Sequence, residues 1–593
     1  MKEKLKQLLS KRFSLPKIAL IEEAVRKFSL TEKVIFYALS GILAISAGAA
    51  LWQVNQSFMV EIPSHDGTLT EGVIGLPRFI NPILASSDAD RDLTALVYSG
   101  LLKATPLGTL VPDLAESYSI SDDGLTYTFT LKHGLTFQDK KPLTADDVVF
   151  TIGKAQDPSI KSPKRPNWEG VEAMKVNDLQ VKLKLKQPYS PFLENATLGI
   201  LPKHIWNSVG SEEFQFSRFN TEPTGSGPYK LKTVERNASG IPLYYNLEVF
   251  DRYTFGKPFI KNFIFRFYQS NTDLLAAYNN GAIESMANIS PQQGGAIRAK
   301  GGRVERTPLP RIFAVFFNQN HAPLLANKEV RLALNIAVNK KAVVEKVLNG
   351  EGIAIESPIP PGLLQKNNAP DTPAGNASYE SDNARVDAAK KILENAKWKF
   401  NDEKKVYEKK IKKDMVPLAF SISTSNAPEL KATAEMLKSM WEKLGARVEV
   451  KIFDIGELNQ NVIRTRKYDG LLFGEIIGRD LDLFAFWHSS QRNDPGLNIA
   501  LYVNSKVDKL LEAARTNTLP EARLEKYKTF AQEIQNDVPA VFIYSPDFLY
   551  VVPKNLRGFS LGHITTPAER FLNIEQWYVE TEHVWKIFAP QSM

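Results

Sequence analysis

Two groupings of residues in this chain could carry chemistry. Asp146 and Asp147 are adjacent carboxylates within "LTFQDKKPLTADDVVFTI" (Leu135 to Ile152), and paired acids can hold a metal or share acid–base work. "WHSSQ" (Trp487 to Gln491) sets His488 beside Ser489 and Ser490. Neither grouping extends into a site. Asp147 follows Thr144 by three residues and precedes Val148, Val149, Phe150 and Ile152, which is the order of a helix capping box. Both acids then lie in a first helical turn, where the helix dipole favours negative charge. A catalytic triad is assembled in space, and neighbours along a chain rarely serve one another. The seven histidines (65, 133, 204, 321, 488, 563 and 583) never pair within five residues, so no helical zinc motif exists. No P-loop and no G-x-S-x-G elbow occur. With zero cysteines there are no disulfides, thiol nucleophiles, thiolate metal sites or cysteine-linked lipids. These residues argue against catalysis, and no cofactor or metal is expected.

The elements that hold such residues begin with a membrane-sized segment. Val34 to Val54, "VIFYALSGILAISAGAALWQV", runs 21 residues without a charge, close to the ~20 needed to cross a bilayer. Tyr37 and Trp52 lie near its ends, as interfacial aromatics do. Residues 1–33 carry nine Lys or Arg against four Glu, a net +5, which places a basic tail in the cytoplasm and the rest outside. The rival reading is a cleaved signal peptide, with Ala47-Gly48-Ala49 as the small-residue site. Of the overall +8, only about +3 remains for the other 560 residues. The base is concentrated where anionic headgroups would meet it, so nucleic acid is not an expected partner.

Beyond a polar spacer (55–65) the chain of 593 residues, 43% hydrophobic and 24% charged, mixes strand and helix patterns. After the turn at Gly124, "LTYTFTL" puts Leu125, Tyr127, Phe129 and Leu131 on one face of a half-buried strand. "LQVKLKLK" (Leu179 to Lys186) alternates likewise, with lysines on the wet face. "KEVRLALNIAVNKKAVVEKVLNG" has helical spacing and stops on Asn349-Gly350. A second helix is expected near Glu429 to Leu444, feeding the strand "RVEVKIF" after Gly445. "KKVYEKKIKK" (Lys404 to Lys413) reads as a solvated hairpin or loop. The interleaving predicts α/β lobes.

The run "YSGLLKATPLGTLVPDLAESYSISDDGLTYTFTLKHGLTFQDKKPLTADDVVFTI" (Tyr98 to Ile152) resembles the signature region of extracellular solute-binding family 5, the peptide- and nickel-binding proteins of ABC importers. Later landmarks recur in order: "TGSGPY" (Thr224–Tyr229), "VRLALNIAVNKKAVVEKVLNGEG" (Val330–Gly352), "SPIPPG" (Ser357–Gly362), "AAKKILENAKW" (Ala388–Trp398) and "DVPAVFIYS" (Asp537–Ser545). The likeness spans about Leu69 to Ser560. It implies a large two-lobe periplasmic-binding-protein-like fold of α/β class, preceded by one transmembrane helix (34–54). Lobe I is expected over 66–309 and 546–593, with an inserted subdomain near 106–218, and lobe II over 310–545. The resemblance further implies a monomer that closes on a peptide or other small solute and delivers it to ABC permease subunits. A surface hydrolase is the alternative from another class.

Two regions fall where the family places its ligand. One is Ser86-Ser87-Asp88. The other is "GEIIGRDLDLFAFWHSSQ" (Gly474 to Gln491), similar to a segment whose acid meets a peptide's α-amino group. If Asp482 takes the place of that segment's second acid, the usual first acid falls on Arg479 and the usual Trp on Ile476. Asp480 then stands one position away to receive an amino group, and Arg479 meets a ligand carboxylate or a neighbouring acid. Trp487 and His488 complete the expected ligand-binding set. The alternative for Asp480 and Asp482 is a helix cap.

Overall fold

Alternating apolar residues fold as their period requires. Thr126–Leu131 is a strand that buries Tyr127, Phe129 and Leu131, and Gln180–Lys184 buries Val181 and Leu183 while its lysines stay in water. These two strands are the centre of a four-stranded antiparallel sheet completed by Ala115–Ile120 and Glu172–Asn177. Beside it, Ala145–Gln156 is a helix begun by the expected capping box. The computed structural model describes Glu23, residues 25–360, Leu363, Tyr379, and residues 381–411 and 413–589. Residues 1–22 and Ala24 of the expected basic tail, and Pro361 and Gly362 of "SPIPPG", lie outside the described residues.

The chain forms two compact units, one holding residues up to Ser64 together with those from Thr581 onward, the other holding His65 to Glu580. In the first unit the apolar span lies within one helix, Leu30–Phe58, which is longer than the charge-free window because uncharged Asn55 to Phe58 extend it. Ser29 caps it, its backbone N–H donating to Glu32 at 2.8 Å. Met59–Pro63 then forms a strand paired antiparallel with Thr581–Trp585. This departs from the expected polar spacer over 55–65 and from a return to lobe I running through 593. Val60 and Val584 face each other in this pair, and that short β-branched alternation was too brief to outweigh its polar surroundings.

In the large unit, one mixed sheet runs through the whole body. Its longest strand, Ala540–Val552, pairs on one side with Arg311–Phe317, followed outward by Gly470–Ile476, Ala419–Ser425 and Arg447–Phe453. On the other side come Ser285–Ala287, Thr68–Ile74, Asn262–Tyr268, Pro242–Val249 and Tyr229–Arg236. Among the described residues, four hydrophobic clusters form the cores around this sheet and its smaller neighbours. Two draw on residues from Leu69 to Leu309 and from Phe548 to Trp577; the other two draw on Ile312 to Tyr544. Leu309 and Ile312 thus belong to different cores, as do Tyr544 and Phe548, and the sheet passes from one set of cores to the other at these segments.

Two local expectations need correction. The helical pattern from Lys328 to Gly350 is two helices, Lys328–Ala337 and Lys340–Val347. Asn339 breaks it, because its side chain accepts the Ala342 N–H at 3.1 Å and so starts a new helix. The lysine-rich run near 404–413 is a hairpin, one of the two expected forms, but not a wholly solvated one: its strand Val406–Ile411 is central in a three-stranded sheet, with Val406, Tyr407 and Glu408 buried. Paired strand edges cover on one face what composition alone read as solvated.

Candidate ligand-binding site

Asp146 and Asp147 serve the helix start rather than a reaction. Asp147 accepts from the Thr144 N–H at 2.9 Å and the Lys203 N–H at 2.9 Å; burial raises its carboxyl, and these bonds oppose the rise. Asp146 pairs with Lys175 and Lys203, and the bond to Lys175 holds it below the usual carboxylate range.

A cavity of about 570 Å³ opens where the sheet crosses between the lobes. This is within the ~300–1,000 Å³ typical of small-ligand sites. From the first lobe come Asn288 to Gln293, at the start of the helix Pro291–Ala299, whose box is closed by Ser290 and Gln293. From the second come Arg311 and Phe313 on a central strand and Ala427 to Leu430 at the start of the helix Pro428–Leu444. Tyr544 and Pro546 to Leu549, on the longest strand, line the side between. Arg311 is the notable cation here. Its Nε finds no hydrogen-bond acceptor among the described residues, and burial lowers its pKa while Asp88 pulls it up.

None of the nine residues expected from sequence lines this cavity itself. Asp88 reaches its edge by accepting from the Asn288 amide at 2.8 Å. Ser87 caps the helix Asp88–Val97, accepting the Asp90 N–H at 3.1 Å, and Ser86 donates its N–H to Asp90. Burial works against the Asp90 carboxylate, yet the N–H groups of Phe79, Ser87 and Arg78 hold its pKa below the ordinary value. Ile476 is exposed and pairs across the sheet with Arg311, next to the cavity.

Of the other expected residues, Arg479, Asp480 and Asp482 form a polar seam, in which Arg479 and Asp482 reach segments distant in the chain. The Arg479 side chain is only 7% exposed: it donates to Glu569 at 2.6 Å and to the His563 carbonyl at 3.2 Å, with Glu194 at 3.6 Å. Asp480 pairs with Arg523. Asp482 accepts from Arg515 at 2.8 Å and from the Tyr189 hydroxyl at 3.0 Å, and the Arg515 guanidinium lies over the Tyr189 and Phe484 rings. Asp482 also accepts from the Phe484 N–H at 3.3 Å, although Leu483 rather than Asp482 is the N-cap of the helix Phe484–Trp487. Trp487 is buried within the second lobe, packed near Phe316, Phe530 and Phe542, and so is not brought to the cavity. His488 stacks on Phe484 and holds Ser490 at 2.7 Å, with Asp508 and Glu512 near its other nitrogen.

Sequence reasoning missed Arg311, Asn288 and the acids Glu194 and Glu569. Arg311 was detectable as a lone charge at the head of "RIFAVFF"; the acids carry no local signal, since 285 residues separate Glu194 from Arg479.

Comparison with known proteins decides the family. Residues 109–495 match the family of bacterial extracellular solute-binding proteins, family 5. The chain belongs to this family. It is similar to the oligopeptide-binding protein AppA of Bacillus subtilis (strain 168), with 27% identity over 560 residues, covering 93% of this chain and 99% of that protein. The solved structure of AppA from Bacillus subtilis in complex with a nonapeptide aligns at a TM-score of 0.66 and 26% identity, over 88% of this chain and 100% of that one. The ABC transporter substrate-binding protein CtaP from Listeria monocytogenes aligns at 0.72 and 26%, with the same coverage. The two-lobe α/β fold is therefore that of the family 5 binding proteins.

Proposed function

We propose that this chain is the extracytoplasmic binding component of an ABC importer, that it takes peptides between its lobes, and that Leu30–Phe58 keeps it tethered as a single-pass protein with its N-terminus in the cytoplasm. The observation that carries the reading is a cavity lined by both lobes of a family 5 protein, with the cation Arg311 facing it. The nonapeptide complex of AppA supports a peptide as the ligand class. A peptide can be held through its backbone as an added strand, with its charged ends on fixed opposite charges and its side chains in partly wet pockets. The protein acts by binding, with no chemical step.

On this reading lobe I holds about 66–309 and about 546–580, its inserted subdomain lies near 106–218, and lobe II holds about 310–545. Changes of hydrophobic core at Leu309/Ile312 and Tyr544/Phe548 support those limits. Arg311 receives a ligand carboxylate, and the nearby Asp88 and the seam residues Arg479, Asp480 and Asp482 frame the cleft.

Native mass spectrometry of the detergent-extracted full chain tests the ligand class: a co-purified peptide mass supports it, and a bound solute of another class overturns it. Calorimetric titration with peptides then tests the cation. Removing one partner of a desolvated charge pair costs ~2–5 kcal/mol, so Arg311→Ala weakens a free-acid peptide roughly 30-fold or more. C-terminal amidation produces a similar loss in the parent protein and little further loss in the variant. Equal binding of free and amidated peptides to the parent removes Arg311 from the site.

A further inference from the structure

The uncharged window 34–54 accounts for about 31 Å of helix at ~1.5 Å per residue, which matches a ~30 Å hydrocarbon core. The helix continues beyond it through Asn55, Gln56 and Ser57 to Phe58. This last turn adds about 6 Å, and so falls within the headgroup layer, which occupies ~5–7 Å on each side. No charge occurs between Lys33 and Glu61.

The other end of the chain arrives at the same level. Trp585 stands opposite Met59 in the two-stranded pair, and its indole N–H donates to the Asn55 side chain at 2.9 Å. The Lys586 N–H donates to the Phe58 carbonyl at 2.8 Å. Ile587 and Phe588 follow, 77% and 74% exposed, and Phe58 and Trp585 are exposed as well. Four large apolar side chains thus lie uncovered within one turn of the end of a membrane-sized helix. Trp is enriched at membrane interfaces, and a lysine among apolar residues can extend its amine to a phosphate.

We propose that Trp585–Phe588 is a second membrane contact, seated at the headgroup–acyl boundary of the leaflet from which Leu30–Phe58 emerges. It rests on the reading of that helix as a retained anchor. The partner is a phospholipid surface, because these residues are fixed by hydrogen bonds to the helix turn that itself lies in that layer. The chain is then held to the bilayer from both of its ends.

The absence of native cysteine allows single-site labelling of the full chain. An environment-sensitive nitrobenzofurazan label is placed at Phe588→Cys, and separately at Ile587→Cys so that Phe588 is retained in one variant. Gly41→Cys marks mid-helix and Ser119→Cys marks an exposed strand. Each is reconstituted in phosphatidylcholine–phosphatidylglycerol vesicles carrying nitroxide either at the headgroup or near the acyl-chain end. Labels at 587 and 588 should emit at shorter wavelength than the label at 119, and be quenched several-fold more strongly by the shallow nitroxide than by the deep one. The label at 41 should show the opposite preference. Water-like, unquenched emission at 587 and 588 with quenching at 41 overturns the second contact and leaves the anchor standing. A blue shift without lipid quenching also overturns it, since the segment is then covered by protein, a second copy included. No quenching at 41 overturns the anchor and the inference with it.

Discussion

Arg570 is completely buried, and its guanidinium bridges Glu71 at 2.5 Å and Asp92 at 2.6 Å, with Tyr550 donating to Glu71 at 2.7 Å. Burial pushes both carboxyls up and Arg570 pulls them back. Breaking such a buried cluster costs ~3–5 kcal/mol because two acids lose their counter-charge inside the core. Arg570→Ala should therefore lower stability by about that amount, read from the shift in denaturation midpoint. A second residue-level expectation concerns Glu194, which faces Arg479, Glu569 and Asp480. Its carboxyl is pushed up to about 7, chiefly by burial; Arg479 pulls it back, and the charges of Glu569 and Asp480 raise it. Should the lobes part, the group would return to solvent and toward its ordinary 4.5. A pKa that is higher in the bridged form favours that form below the solvated pKa, and the benefit is lost as pH rises through the bridged-form pKa. Lowering the pH from about 8 to about 6 should thus favour the bridged arrangement, and Glu194→Gln should remove most of that dependence. Scattering profiles across the pH series check it; identical profiles for parent and variant would sink it.

At the scale of elements, Gly445 ends the helix Pro428–Leu444 at φ +102°, and an added Cβ would lie 2.8 Å from the Tyr407 ring and 3.0 Å from Phe400. Left-handed backbone costs an L-residue roughly 1–2 kcal/mol, so Gly445→Ala should destabilise the second lobe by at least that much, seen as a lower melting temperature. This helix end was legible in the sequence, because glycine placement and apolar period are local properties. So were the strands Thr126–Leu131 and Gln180–Lys184, where side-chain alternation alone sets the buried face. The break at Asn339 was less so: the apolar period persists across it, and only the competition of the Asn side chain for a backbone N–H stops the first helix. The burial of the lysine-rich hairpin was hidden for another reason. Its burial comes from Phe400 and Gly445, which pack on Tyr407 from elsewhere in the chain.

For the whole molecule, closure of the lobes on a ligand requires that the ligand bind the closed form more tightly. A saturating peptide should reduce the radius of gyration in small-angle scattering, and Arg479→Ala, which removes the bridge to Glu569, should enlarge it in the unliganded protein. An unchanged radius at proven saturation would rule out closure as the working motion. The family and its two-lobe fold could be read from ordered landmarks spread along the chain. The cavity could not, because its walls come from segments hundreds of residues apart and owe their meeting to the sheet that crosses between the lobes. The pairing of Met59–Pro63 with Thr581–Trp585 carries a consequence for biosynthesis. Its first strand leaves the ribosome long before its partner, so this pair cannot close until Thr581–Trp585 has been made. A product truncated before Thr581 could fold much of the large unit and still lack this pair, which makes the two-stranded join a mark of synthesis carried through Trp585.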